Sequence, residues 1–158
     1  MRRIPSGFTL IELVVVITIL GILTALALPR FAALQTEARM AKMQAAMGSL
    51  KAGAVLAHSV QLTQQLAANA SVTMEGAIVP MANGYPTSAL DSIGVAAGFV
   101  DNDGSTVLQG YVASATATTF TVTPDAGHPS CSVTYTVTTT AGQAPAISNA
   151  GVTTANCQ

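Results

Sequence analysis

An unbroken apolar stretch opens the pattern: between residues 8 and 29 Glu12 is the one charged side chain, and the next charge is Arg30. At about 1.5 Å per residue a helix over this stretch is roughly 33 Å long, close to the ~30 Å thickness of a bilayer's hydrocarbon core. It can span a membrane. A carboxylate there costs on the order of 2.5–3.5 kcal/mol at the bilayer centre and less near an end, so Glu12 asks for a partner or a purpose. Pro29 removes one backbone hydrogen bond and crowds the preceding turn. Together with Gly21 it predicts a helix that kinks or melts locally.

From residue 30 to about residue 67 the sequence stays helical, rich in Ala, Gln and Met and without proline. At about 100° per residue, Met40, Met43, Met47, Leu50, Ala54 and Ala57 fall within one amphipathic arc, predicted to face a sheet. Methionine stripes also line adaptable binding grooves, but thioethers fill irregular core gaps and packing is the plainer use. Phe31, Leu34, Ala38, Ala41 and Ala45 form a second strip, available to other chains. Arg30, Glu37, Arg39, Lys42 and Lys51 read as a solvated face.

Beyond residue 67 turn and edge-strand signals take over, including Asn83-Gly84-Tyr85-Pro86. Thr87-Ser88 with Asp91 in the first turn predicts a short capped helix over 88–97. Asp101-Asn102-Asp103-Gly104 starts like a calcium loop, yet Val112 stands where the closing glutamate belongs, so a turn is expected. Period-two alternation then predicts strands over 106–113, 118–123 and 131–139. Phe120 and Val122 share one face, as do Val133, Tyr135 and Val137, and threonines fill the other. A short piece near 146–148 runs along the sheet edge. The fold class is α+β: a long N-terminal helix packed on a small antiparallel sheet.

Composition sharpens this picture. The chain has 158 residues, half of them apolar and 8% charged, which suits thin helix-on-sheet packing rather than a deep enzyme core. All six Lys and Arg lie at or before Lys51, whereas Glu75, Asp91, Asp101, Asp103 and Asp125 come later. The distal region therefore offers no cation for phosphates, and no direct nucleic-acid site is evident. His58 and His128 have no paired base or nucleophile at a recognisable spacing and read as solvent-exposed. There is no Gly-rich phosphate loop, metal-spaced cluster or serine elbow. The chain reads as a non-enzyme with no cofactor and no metal site. Asn69-Ala70-Ser71 matches a glycosylation sequon too short to carry weight.

The start is also informative. Met1-Arg2-Arg3-Ile4-Pro5-Ser6-Gly7 is short and basic, which places the N-terminus on the cytoplasmic side. Gly7-Phe8-Thr9-Leu10-Ile11-Glu12-Leu13 resembles the prepilin signature of type IV pilins and of type II secretion pseudopilins. The resemblance implies cleavage after Gly7 by a prepilin peptidase, N-methylation of the new terminal Phe8, and a role in assembly for Glu12, which meets the terminal amine of a neighbouring subunit. It also gives Gly21 and Pro29 a mechanical meaning, because this stretch is commonly unwound in assembled pili.

The implied division is a leader (1–7), a transmembrane and filament-core helix (8–30), its amphipathic continuation (31–67), and a globular head (68–158). The implied partners are further copies in a helical homopolymer, the inner membrane before assembly, the peptidase and the pilus assembly machinery. The destination is an extracellular pilus serving adhesion, motility or DNA uptake. In an exported chain Cys131 and Cys157 read as one disulfide, with two free buried thiols as the alternative; the closed segment resembles the disulfide-bounded region of type IV pilins. Asn83-Gly84-Tyr85-Pro86 is similar to the mannose-sensitive haemagglutinin type of pilin. Competing readings are a type II secretion pseudopilin, a plain single-span anchor, and a Sec-exported domain cut after Ala25-Leu26-Ala27, so that it begins at Leu28.

Overall fold

A computed structural model describes residues 8–108 and 110–158. The chain forms two compact units, Met1–Gln35 and Thr36–Gln158. Helix α1 covers Leu10–Thr63 and stays helical through Gly21 and Pro29, so the local melting expected there does not occur in the single chain. In the first unit its large apolar side chains, from Leu10 to Leu34, are exposed. Their length and composition suffice to cross a membrane.

In the second unit α1 buries Thr36, Met43, Ala46, Leu50, Gly53, Ala54, Ala57 and Gln61. The steps of three, four and seven keep these on one face, with Met40 and Met47 packed beside them. The arc predicted from periodicity is thus the core face. Ala38, Ala41 and Ala45 of the second strip are exposed.

The helix stops at Thr63, four residues earlier than expected. Gln65 turns left-handed (φ 53°), its N–H reaches the Leu62 carbonyl, and the Leu66 N–H reaches that of Gln61. This double closure satisfies the orphan carbonyls of the last turn without a glycine. The Gln61 side chain donates to the carbonyls of Ala67 and Ala70 and so pins the chain that leaves the helix.

Two tight hairpins follow. Strand β1 (Val72–Met74) pairs with β2 (Ala77–Val79) across Glu75-Gly76, and β3 (Met81–Ala82) pairs with β4 (Tyr85–Pro86) across Asn83-Gly84. All four turn residues have positive φ, the geometry that matches two-residue hairpins to strand twist. The predicted capped helix over 88–97 is a π-helical turn at Leu90–Gly94 that continues briefly as α-helix. Ser88 does not cap it. The Ser88 hydroxyl instead donates to the carbonyl of Thr116, in the turn that follows residues 112–115 of the main sheet, a tertiary bond that outcompetes the local one.

The Asp101 turn forms as expected: the Asp101 and Asp103 carboxylates accept from the Ser105 N–H, and Asp101 also accepts from that of Thr106. The main sheet has order β5-β6-β7-β8, antiparallel throughout, with β5 at Val112–Ala115, β6 at Thr119–Thr123, β7 at Val133–Thr136 and β8 at Ala146–Ser148. The first strand is displaced from the predicted 106–113. Residues 106–108 fold back on 99–101 around the Asp101 turn, and Gly110 (φ 97°) breaks the extended run before Val112.

Phe120, Val122, Val133 and Tyr135 are fully buried on one face of β6 and β7, with Phe120 opposite Tyr135 and Val122 opposite Val133. They pack with Met43, Leu50 and Ile93 into one core. Each large side chain so buried contributes about 1.5–3 kcal/mol. The Tyr135 hydroxyl keeps its polar end satisfied by donating to the Pro86 carbonyl at 2.6 Å. That burial pushes its pKa up.

Candidate assembly site at the helix start

Thr9 and Glu12 stand three residues apart at the first turn of α1, the spacing of a capping box. The Thr9 N–H and hydroxyl both donate to Glu12 Oε2, at 2.9 and 2.6 Å, and the Glu12 N–H donates back to the Thr9 hydroxyl at 3.3 Å. Glu12 is therefore not an unpaired carboxylate in the single chain, as its isolation along the sequence suggested. Thr9-x-x-Glu12 was the signal for this, legible but eclipsed by the apolar run around it. The box satisfies two orphan N–H groups at the helix start and leaves the carboxylate exposed and ionisable, on a shallow surface with Phe8, Ile11, Val15 and Val16.

Two further polar side chains in the run are internally satisfied. Thr18 donates to the carbonyls of Val14 and Val15, and Thr24 donates to that of Leu20. Back-bonding of this kind removes the need for water along the helix, as hydrocarbon surroundings require. Gly7, the predicted cleavage point, lies outside the described residues.

The C-terminal segment is the second region singled out by the sequence. Cys131 and Cys157 form a disulfide, with Cα atoms 4.9 Å apart. The four-residue helix α2 (Thr154–Cys157) carries Cys157, and the Thr153 hydroxyl caps it by accepting from the Asn156 N–H.

Arg39 and Lys42, expected on a solvated face, instead tie α1 to this region. Arg39 donates to the Cys157 carbonyl at 3.2 Å and approaches the Asp125 carboxylate at 3.4 Å, while Lys42 donates to the Pro124 carbonyl at 2.7 Å and lies over the Tyr111 ring. Asp125 also accepts from His128 Nδ1 (2.7 Å) and the Gly127 N–H (2.8 Å). The His128 hydrogen bond leads in holding its carboxyl below the usual range, with burial opposing and Gly127, the His128 charge and Arg39 adding to it.

Neither histidine is solvent-exposed as predicted; both are half-buried. His58 stacks on Tyr85 with ring centroids 4.3 Å apart and donates from Nδ1 to the Gly84 carbonyl. These are structural placements, with no nucleophile beside either ring among the described contacts. Among the described residues no cluster of three or more His, Cys, Asp or Glu is placed to hold a metal ion.

Comparison with known proteins bears on the same segment. Residues 2–28 match the prokaryotic N-terminal methylation motif family. The chain is 44% identical over 52 residues to the type IV narrow pilus major component PilA5 of Thermus thermophilus, covering 33% of this chain and 45% of that protein. It is 34% identical over 109 residues to the fimbrial protein EcpC of Eikenella corrodens, covering 62% of this chain and 71% of that one. It is 49% identical over 51 residues to the type II secretion system core protein G of Pseudomonas aeruginosa, covering 32% of this chain and 34% of that one.

The chain thus spans less than half of the Thermus and Pseudomonas proteins but most of the Eikenella fimbrial protein. No solved structure matches it. With a matched methylation motif, an exposed apolar helix, an α+β head and a fimbrial relative aligned well beyond the helix, the chain belongs to the type IV pilin family, whose members are structural subunits and not enzymes.

Proposed function

We propose that this chain is a pilus subunit, most simply the major one, that waits in the inner membrane and then polymerises into a surface filament. The observation that carries the reading is the exposed apolar run of α1 with one carboxylate, Glu12, at its start. In water that surface is unstable; lipid covers it before assembly, and the corresponding helices of other copies cover it afterwards. Prepilin peptidase cuts after Gly7, the new Phe8 amine is methylated, and a cation then lies two helical turns or less from an anion. Burying either charge alone is costly, whereas a pair compensates.

In the filament the Glu12 carboxylate of one copy meets the Phe8 amine of its neighbour. The Thr9 donors already hold Oε2, so the remaining acceptor capacity of the carboxylate receives the amine without dismantling the box. Gly21 and Pro29 supply the points where the packed helix unwinds. The assembly machinery of the inner membrane is the second partner.

Glu12→Ala tests this. The variant is expected to be processed and membrane-held but to yield at least tenfold fewer sheared fibres, in line with the cost of stranding a buried partner charge. Normal fibre yield refutes the role. The similarity to a type II secretion core protein supports a second reading as a pseudopilin, and electron microscopy of sheared surface fibres labelled for this chain separates the two.

A further inference from the structure

Two surfaces of the second unit are complementary and lie on opposite flanks of α1. The first is an apolar cleft of about 240 Å³ lined by Lys51, Val55, Tyr85, Pro145 and Ile147 among others. Val55 is 60% exposed there, and Lys51 stands at the rim with no anionic partner among the described residues. Tyr85 is a fixed wall, because His58 stacks on it and is itself held by the Gly84 carbonyl. A wall fixed before contact lowers the entropy cost of docking.

The second surface is the tip of the β1–β2 hairpin. Ile78 is 69% exposed on its outer face, opposite Thr73, and Glu75 occupies the turn. The hairpin is braced: Asn102 donates to the Glu75 carbonyl, and the inner residues Val72 and Val79 are buried against Ala57 and Val60. It therefore presents one large apolar side chain and one carboxylate on a rigid support.

The helix sets the two surfaces apart. Taking Ala54 as the centre of the buried face, Lys51 and Val55 lie about 60° and 100° to one side, and Gly53 and Val60 about 100° and 120° to the other. Gly53 and Val60 are the positions that meet Ala96 and the β1–β2 cluster. The cleft and the hairpin are thus on different flanks of one molecule, and contact between unlike patches of identical chains is head-to-tail. Such contacts propagate as rings or helical filaments rather than closing as two-fold dimers.

We propose that the β1–β2 hairpin of one copy docks in the cleft of a second copy, placing Ile78 against Val55, Tyr85 and Pro145 and Glu75 beside Lys51. The proposal rests on the filament reading and adds to it the contact that fixes the head of each copy against the next. Charge and apolar character both favour this occupant: the cleft exposes apolar side chains beside one cation, Lys51, and the hairpin carries the exposed Ile78 and Glu75.

The test uses the full chain in cells that make it. Lys51→Glu and Glu75→Lys are each expected to lower sheared-fibre yield about fivefold, since one exposed pair is worth up to about 1 kcal/mol and reversal turns attraction into repulsion. The double reversal is expected to restore the yield. In a strain carrying Val55→Cys and Ile78→Cys, a short bismaleimide is expected to give a ladder of covalent multimers of this chain.

Undiminished fibres from both single reversals, a double reversal that stays defective, or no ladder overturns the docking. So does cross-linking of the cleft thiol to a different protein. If the unaltered chain makes no fibres at all, the filament reading fails first, so the two failures are told apart.

Discussion

Two glycines on the same helix make opposite predictions. A Cβ added at Gly48 meets nothing within 4 Å, whereas one added at Gly53 falls 2.5 Å from the Ala96 carbonyl oxygen and 2.8 Å from the Ala97 nitrogen. Replacing a mid-helix glycine by alanine gains about 0.8–1.0 kcal/mol of helix propensity, and both sites, exposed Gly48 and buried Gly53, share that gain. At Gly53 the new methyl must also push backbone, not a flexible side-chain end, aside by most of an ångström. Overpacking of that kind costs typically 1–3 kcal/mol and more when backbone must move.

Gly48→Ala is therefore expected to stabilise by about 1 kcal/mol, and Gly53→Ala to destabilise by about 1–2 kcal/mol net. For a unit of this size 1 kcal/mol corresponds to roughly 3–5 °C in Tm. Thermal melts of the detergent-solubilised full chain, followed by near-ultraviolet circular dichroism of the tyrosines, read both variants on one scale. A Gly53→Ala chain that melts higher than the unaltered one, as Gly48→Ala should, refutes the claim that α1 touches the loop backbone at Ala96.

Other perturbations probe the C-terminal region. Asp125 has its pKa lowered in the folded chain, chiefly by the His128 hydrogen bond, so its contribution is present above the unfolded aspartate pKa and is lost as pH falls through the lowered value. Because its side chain is 44% exposed, solvent screening holds that contribution to about 1 kcal/mol or less. Asp125→Asn should accordingly melt lower than the unaltered chain near pH 7 and converge with it in strong acid. A gap that does not close on acidification counts against the charge as its cause. Cys131→Ser opens a loop of about 27 residues, worth up to roughly 3.5 kcal/mol in the chain-entropy model. Limited proteolysis under oxidising conditions should then cut the tail near α2 first, and unchanged resistance would mean that Arg39 and the β7–β8 pairing suffice to hold it.

Local chemistry made much of this protein legible from its sequence. The long apolar run, the core arc from Met40 to Ala57, the alternation at Phe120, Val122, Val133 and Tyr135, and the Asp101 turn all depend on neighbours within a few residues. Period and turn preference therefore report them directly. The Thr9–Glu12 box belongs to the same class, since its partners are three residues apart.

What only the tertiary structure decided involves partners far apart in the chain. Ser88 gave up a cap for the Thr116 carbonyl, Arg39 and Lys42 found the backbone around Asp125 and Cys157, and His58 found Tyr85 and Gly84. Each of these side chains has several locally acceptable uses whose free energies differ by about 1 kcal/mol or less. Packing against a distant segment is the larger effect and selects among them, and no periodicity along the chain encodes which segment arrives.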